Sequence, residues 1–251
     1  MFKQQLDEFA AKHLTRRLTP LQSGVGPVVE MAGRQILLFA SNDYLGLAMH
    51  PEVIRASVEA TQRFGAGAGA ARLVSGSLPS HQELESALAQ FKGTEAALTF
   101  SSGYLANIGA IPALIGRNGL ILADRLCHAS LLDGCRLSAA DFRIYRHNDT
   151  EQLQSLLAAR RQARRTLIVT DGLFSMDGDL APLPELSRLA QTYGADLYVD
   201  DAHGTGVMGA HGRGTAEYFG LEASIPFQMG TLSKAFGSSG AYLAGSSVWA
   251  H

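Results

Sequence analysis

The chain has 251 residues, 46% of them hydrophobic and 18% charged, with a formal net charge of -2. That balance suits a soluble globular protein with one large core or two smaller ones, and it gives no electrostatic footprint for nucleic acid or an anionic membrane. Two cysteines, Cys127 and Cys135, are too few for a disulfide framework and match no paired metal-ligand spacing, so the expected setting is a reducing cytoplasm with both thiols in or near the core.

In chain order, Met1 to Leu18 interleaves charges with Phe2, Leu6, Phe9 and Leu14, which predicts an amphipathic helix and no signal peptide. Gln35 to Phe39 reads as a short strand, and Pro51 to Phe64 as a helix opened by proline. A glycine-rich loop from Gly65 to Gly76 precedes a second helix, Ser80 to Phe91, for which Ser80 and Glu83 are a candidate capping box. Strands at Ala96–Phe100, Leu120–Ala123, Phe142–Tyr145, Thr166–Thr170 and Leu197–Val199 alternate with helices at Tyr104–Leu114, Ser130–Leu137, Glu151–Arg161 and Leu183–Tyr193. Pro112, Gly116 and Arg117 interrupt the most apolar region, well short of the roughly 18 residues of a membrane span. The cluster Arg160, Arg161, Arg164 and Arg165 reads as a solvated helix end rather than a binding patch. The expectation is an α/β fold with a mostly parallel central sheet and helices on both faces, divided into an N-terminal helix and arm over residues 1–45 and a large domain over 46–251.

In such sheets the loops at the carboxyl ends of the strands carry the ligand. Strand 96–100 ends in Ser101-Ser102-Gly103-Tyr104, a glycine-bearing turn at a helix start that offers amides to a phosphate or simply begins a helix. Strand 120–123 leads to His128, strand 166–170 to a polar loop with Ser175, and strand 197–199 to Asp200, Asp201 and His203. Asp200 either caps the next turn or keeps a pyridine nitrogen protonated. Lys234, in Thr231-Leu232-Ser233-Lys234-Ala235-Phe236-Gly237, is poorly explained as a surface charge among such small residues, and it points to pyridoxal phosphate held as a Schiff base. Gly204, Gly206 and Gly209 spell a dinucleotide fingerprint, but further glycines follow where a helix should open, which argues against a nicotinamide enzyme. His203 and His211 lack a third partner for a metal.

The motifs Ser41 to Leu47, Gly65 through Arg72 to Gly76, His81 with Leu84-Glu85, Asp124 to Ser130, Phe174 to Asp179, Asp200 to Gly206 and Thr231 to Gly237 together resemble, in order, the signatures of the α-oxoamine synthases. These are pyridoxal-phosphate transferases of fold type I that condense an amino acid with an acyl thioester. The resemblance implies pyridoxal 5'-phosphate attached at Lys234, which also serves as the Cα base. It implies His128 stacked on the ring, Asp200 at the ring nitrogen, and His203 with Ser175 near the phenolic oxygen. Ser102, Gly103, Tyr104 and Thr231 would hold the phosphate. Arg16, with Arg17 beside it, resembles an arginine that contacts the acyl substrate, and His128 would also face the substrate.

Within the family the chain is most similar to members that join L-alanine to a pimeloyl thioester, as CoA or carrier protein, for biotin biosynthesis. Sister enzymes such as glycine C-acetyltransferase, and an inactive truncated fragment, are the alternatives. Family members continue into a smaller C-terminal domain with an arginine for the substrate carboxylate. Because this chain stops at Trp249-Ala250-His251, that domain is expected to be missing, and a homodimer is expected of the full-length protein.

Overall fold

The computed structural model describes residues 2–160 and 165–249, in two compact units, Met1–Ser41 and Asn42–His251. The first unit holds helix α1 (Phe2–Ala11) and an antiparallel hairpin of β1 (Val28–Met31) and β2 (Arg34–Leu37). The helix is shorter than the expected Met1–Leu18. None of its residues is buried, so no packing extends it past His13, whose φ of 55° lies in the left-handed region. The hairpin turns through Ala32 and Gly33, both at positive φ (51° and 72°), the geometry whose twist matches a two-residue hairpin loop. Pairing with β1 places the strand at Arg34–Leu37, which leaves Leu38 and Phe39 outside it.

The second unit is a seven-stranded sheet flanked by helices. Its elements are α2 (Pro51–Phe64), α3 (Pro79–Lys92), β3 (Ala96–Phe100), α4 (Gly103–Leu114), β4 (Leu120–Asp124), α5 (Ala129–Leu137), β5 (Asp141–Tyr145), α6 (Thr150–Ala158), β6 (Thr166–Asp171), α7 (Leu183–Tyr193), β7 (Asp196–Asp200), α8 (Thr215–Tyr218), β8 (Phe227–Thr231) and β9 (Ala241–Gly245). Strand order is β3-β9-β8-β7-β6-β4-β5. Only β9 runs against its neighbours, β3 and β8, so the carboxyl ends of β3, β4, β6, β7 and β8 share one edge.

Both faces of the sheet are covered, as expected, and the side-chain alternation shows it. Ile121, Ala123, Leu167 and Val169 pack with Ala106, Ile111 and Leu131 of α4 and α5 on one face. Leu120, Leu122, Ile168 and Leu197 pack with Leu153 of α6 and Leu186 and Leu189 of α7 on the other. Cys127 and Cys135 are free and buried in the first of these layers. Burial pushes the Cys135 thiol up to about 12.

Two local expectations are corrected. The expected Ser80 capping box at α3 is replaced by His81, whose Nδ1 accepts the Leu78 N–H at 2.9 Å, because the helix begins one residue earlier, at Pro79. The helix expected over Glu151–Arg161 closes at Ala158 and is capped at its start by Asp149, which accepts the Gln152 N–H at 2.8 Å. Arg161 and Arg164 lie outside the described residues. Arg165 is exposed and paired with Asp196 at 3.2 Å. Among the described residues no helix is long and apolar enough to cross a membrane.

Candidate active site

The shared strand edge forms a cleft of about 180 Å3 walled by Gly103, Tyr104, His128, Ser130, Asp171, Asp200, Ala202, His203, Met229, Thr231, Ser233 and Lys234. Most of the wall follows from strand ends. β3 runs into α4, whose N-cap Ser102 spends its hydroxyl on the Leu105 N–H at 3.2 Å, leaving Gly103 and Tyr104 at the helix start. A Cβ on Gly103 would come within 3.1 Å of Met229 Cε, so glycine keeps the cleft floor open there. β4 ends near His128, which caps α5. β6, β7 and β8 deliver Asp171, Asp200 and Thr231.

Lys234 stands in the turn between β8 and β9. Desolvation by burial lowers its pKa, against the pull of Asp200 and Asp171. Burial next to Asp200 pushes the Asp171 carboxyl well above the usual carboxylate range, although its Oδ2 accepts the His128 backbone N–H at 2.9 Å. His203 is held down to about 4, first by burial and then by the Lys234 cation. The Thr231 hydroxyl lies 2.7 Å from the Ser233 hydroxyl and donates to the Gly240 carbonyl at 2.9 Å. Asp200 Oδ1 accepts the Ala202 N–H at 3.0 Å, and its Oδ2 accepts from Asn107 Nδ2 at 2.7 Å.

Of the residues singled out from the sequence, Gly103, Tyr104, His128, Asp200, His203, Thr231 and Lys234 meet in this cleft. Ser102 stands behind its rim as a cap. Ser175 is exposed and does not line this cleft: the segment turns on itself, with Gly178 N–H donating to the Phe174 carbonyl at 2.8 Å while Phe174 takes the buried place. Arg16 is exposed in the first compact unit, past the end of α1. Gly204, Gly206 and Gly209 open no helix. They lie in turns, Gly206 and Gly209 at φ of 85° and 87°, and α8 starts only at Thr215.

Ser130, Asp171, Ser233, Met229 and the buried Asn107 were not found from the sequence. The only signal for Asn107 was a polar residue in the apolar face of α4.

The chain belongs to the family described as aminotransferase class I and II, whose model matches residues 34–251. It is 57% identical over 242 residues to 8-amino-7-oxononanoate synthase of Geobacter sulfurreducens, covering 96% of this chain and 62% of that protein. It is 48% identical to the enzyme of the same name from Thermoanaerobacter pseudethanolicus, covering 97% and 62%. Serine palmitoyltransferase of Sphingomonas wittichii superposes with a TM-score of 0.91 at 36% identity, over 97% of this chain and 61% of that one. 8-amino-7-oxononanoate synthase of Francisella tularensis does so with a TM-score of 0.73 at 31% identity, over 84% and 59%. The chain thus spans about three-fifths of the length of these relatives.

Proposed function

We propose that this chain is the cofactor-binding part of an 8-amino-7-oxononanoate synthase, a pyridoxal-phosphate acyltransferase of biotin biosynthesis. It would act in the cytoplasm, as a homodimer when full length. The observation that carries the reading is Lys234, a desolvated amine sharing a small cleft with Asp200 and His128, in a chain 57% identical to a protein of that name.

The residues present fit pyridoxal 5'-phosphate. The start of α4 at Gly103 and Tyr104 offers amide groups to a phosphate, and the Thr231 and Ser233 hydroxyls beside it would turn from their present partners to donate to one. Asp200 offers a carboxylate to a pyridine nitrogen, and His128 a flat face to a ring. When bound, the cofactor supplies an electron sink for negative charge at an amino-acid Cα.

The chain's own groups do the rest. Lys234 is the attachment point, and its lowered pKa suits it both as nucleophile and as the base that takes the Cα proton. Asp200 is held in position by the Asn107 and Ala202 donors. His203, kept neutral at physiological pH, hydrogen-bonds beside the site without adding a second cation to Lys234. The net reaction joins L-alanine to a pimeloyl thioester and releases the thiol carrier and carbon dioxide. Arg16 is the proposed acyl contact, and Ser175 would stand with His203 near the cofactor's phenolic oxygen.

The superposition on a serine palmitoyltransferase favours a second reading, a sister synthase that uses serine or glycine. The test is the absorption spectrum of the chain with pyridoxal phosphate, before and after L-alanine, glycine or L-serine. A cofactor band that shifts selectively with L-alanine supports the first reading, and selectivity for serine or glycine the second. Borohydride reduction followed by mass spectrometry should label Lys234, and an adduct of equal yield in Lys234→Ala would refute the assignment.

A further inference from the structure

Behind the cleft, five side chains form one hydrogen-bonded line whose proton positions follow from the donors and acceptors available. Tyr198 O–H donates to Asn107 Oδ1 at 2.8 Å. Asn107 Nδ2 faces Asp200 Oδ2 at 2.7 Å and Ser130 Oγ at 2.9 Å, so both of its protons are placed. The amide cannot turn round, because an amide oxygen would then stand 2.7 Å from a carboxylate oxygen, two acceptors face to face. Ser130 Oγ accepts from Asn107, and since His128 Nδ1, 2.7 Å away, is the one acceptor its own proton meets among the described residues, that proton goes there. The Ser130 backbone N–H also points at that nitrogen, at 3.3 Å, where a proton already on Nδ1 would oppose it. His128 Nε2 has no hydrogen bond to the protein among the described residues, and His128 lines the cleft.

We propose that Asn107 is a positioning residue that, through Ser130, fixes His128 as the Nε2–H tautomer, while holding Asp200 with its other proton. Two groups of the cleft wall, His128 and Asp200, are thereby set by one buried amide, at 0% exposure. A histidine tautomer is decided by the partner of its other nitrogen, and here that partner is itself oriented by Asn107. The cleft then receives a hydrogen-bond donor from His128 at neutral pH instead of a bare acceptor. The relay belongs to the protein alone and does not depend on the reading of function above.

The test is a long-range 1H–15N NMR correlation of the histidine rings in the cofactor-free chain at neutral pH, with His128 identified by its loss in His128→Gln. Nε2 protonated and Nδ1 bare is expected in the wild type, and a dominant Nδ1–H form overturns the proposal. Asn107→Asp replaces the amide donor with an acceptor that claims the Ser130 hydroxyl, so the Nδ1–H population should rise several-fold. If that variant does not fold, Ser130→Ala removes the same link without touching Asn107 or Asp200 and should shift the tautomer ratio in the same direction. An unchanged ratio in whichever variant folds refutes the relay. A merely structural role for Asn107 would change stability and leave the His128 tautomer as it was.

Discussion

The Tyr44 hydroxyl lies 2.7 Å from His203 Nδ1, tying the loop that follows the N-terminal unit to the turn after Asp200. His203 is a half-buried imidazole near Lys234, and burial with that cation holds it down to about 4. The unfolded chain binds a proton at this residue near pH 6.5 and the folded chain does not, so its contribution to stability is present above about 6.5 and lost as pH falls toward 4. His203→Gln should therefore lose less stability than the wild type between pH 7 and pH 5, read as the change in urea midpoint. A wild-type-sized loss in the variant would show that His203 does not carry this acid sensitivity.

Asp171 has the opposite sign. Burial and the neighbouring Asp200 raise its pKa, so above about pH 4 the unfolded chain gives up a proton that the folded chain retains, and stability is lost as pH rises. Asn resembles the protonated carboxyl and keeps an oxygen for the His128 N–H. Asp171→Asn should thus be more stable than wild type at pH 7, with the advantage shrinking toward pH 4. Destabilisation at pH 7 that persists at pH 4 would mean that the carboxylate itself is needed.

Strand and helix order was legible wherever apolar runs were long, as in β4, β6 and β7, because fully buried parallel strands must be apolar on both faces. The fully buried strands β8 and β9, Phe-Gln-Met-Gly-Thr and Ala-Tyr-Leu-Ala-Gly, were missed, since short mixed segments rich in small residues carry little strand signal of their own. Their place in the middle of the sheet is set by tertiary pairing. Lys234, Asp200 and His128 were readable because each follows a strand end. Asn107 and Asp171 were not, because their meaning lies in partners 93 and 43 residues away.

Lys92, at the end of α3, is 1% exposed. Its Nζ donates to the Arg213 carbonyl and stands 4.0 Å from Asp201 Oδ2. Asp201 also accepts the Thr215 backbone and hydroxyl protons, each at 2.8 Å, which pins the turn beyond Asp200. Burial pushes Asp201 up to about 6 and draws Lys92 down, so desolvation outweighs their attraction and the pair is costly to leave half-made. Lys92→Met should cost roughly 3–5 kcal/mol by leaving Asp201 without its cation. Lys92→Met with Asp201→Asn should cost less than the sum of the single variants, by denaturant unfolding. Strict additivity would show that the two side chains do not act as a pair.

Gly237 closes the turn that carries Lys234, its N–H donating to the Lys234 carbonyl at 2.9 Å. Its φ is 60°, and a Cβ there would meet Ala48 N at 2.2 Å and the Leu47 carbonyl carbon at 2.5 Å, both backbone atoms that cannot rotate away. Gly220 has a similar φ of 67° with nothing within 4 Å of a Cβ, so it isolates the torsional cost alone. Gly220→Ala should cost about 1 kcal/mol from the left-handed backbone. Gly237→Ala should cost that plus about 1–3 kcal/mol of forced displacement, and the shift should move Lys234 out of register with Asp200. Thermal unfolding of the two variants separates the terms, and borohydride-trapped cofactor at Lys234 should fall in Gly237→Ala but not in Gly220→Ala. Equal losses in both would show that Leu47 and Ala48 yield to the added methyl and that torsion alone holds the lysine turn.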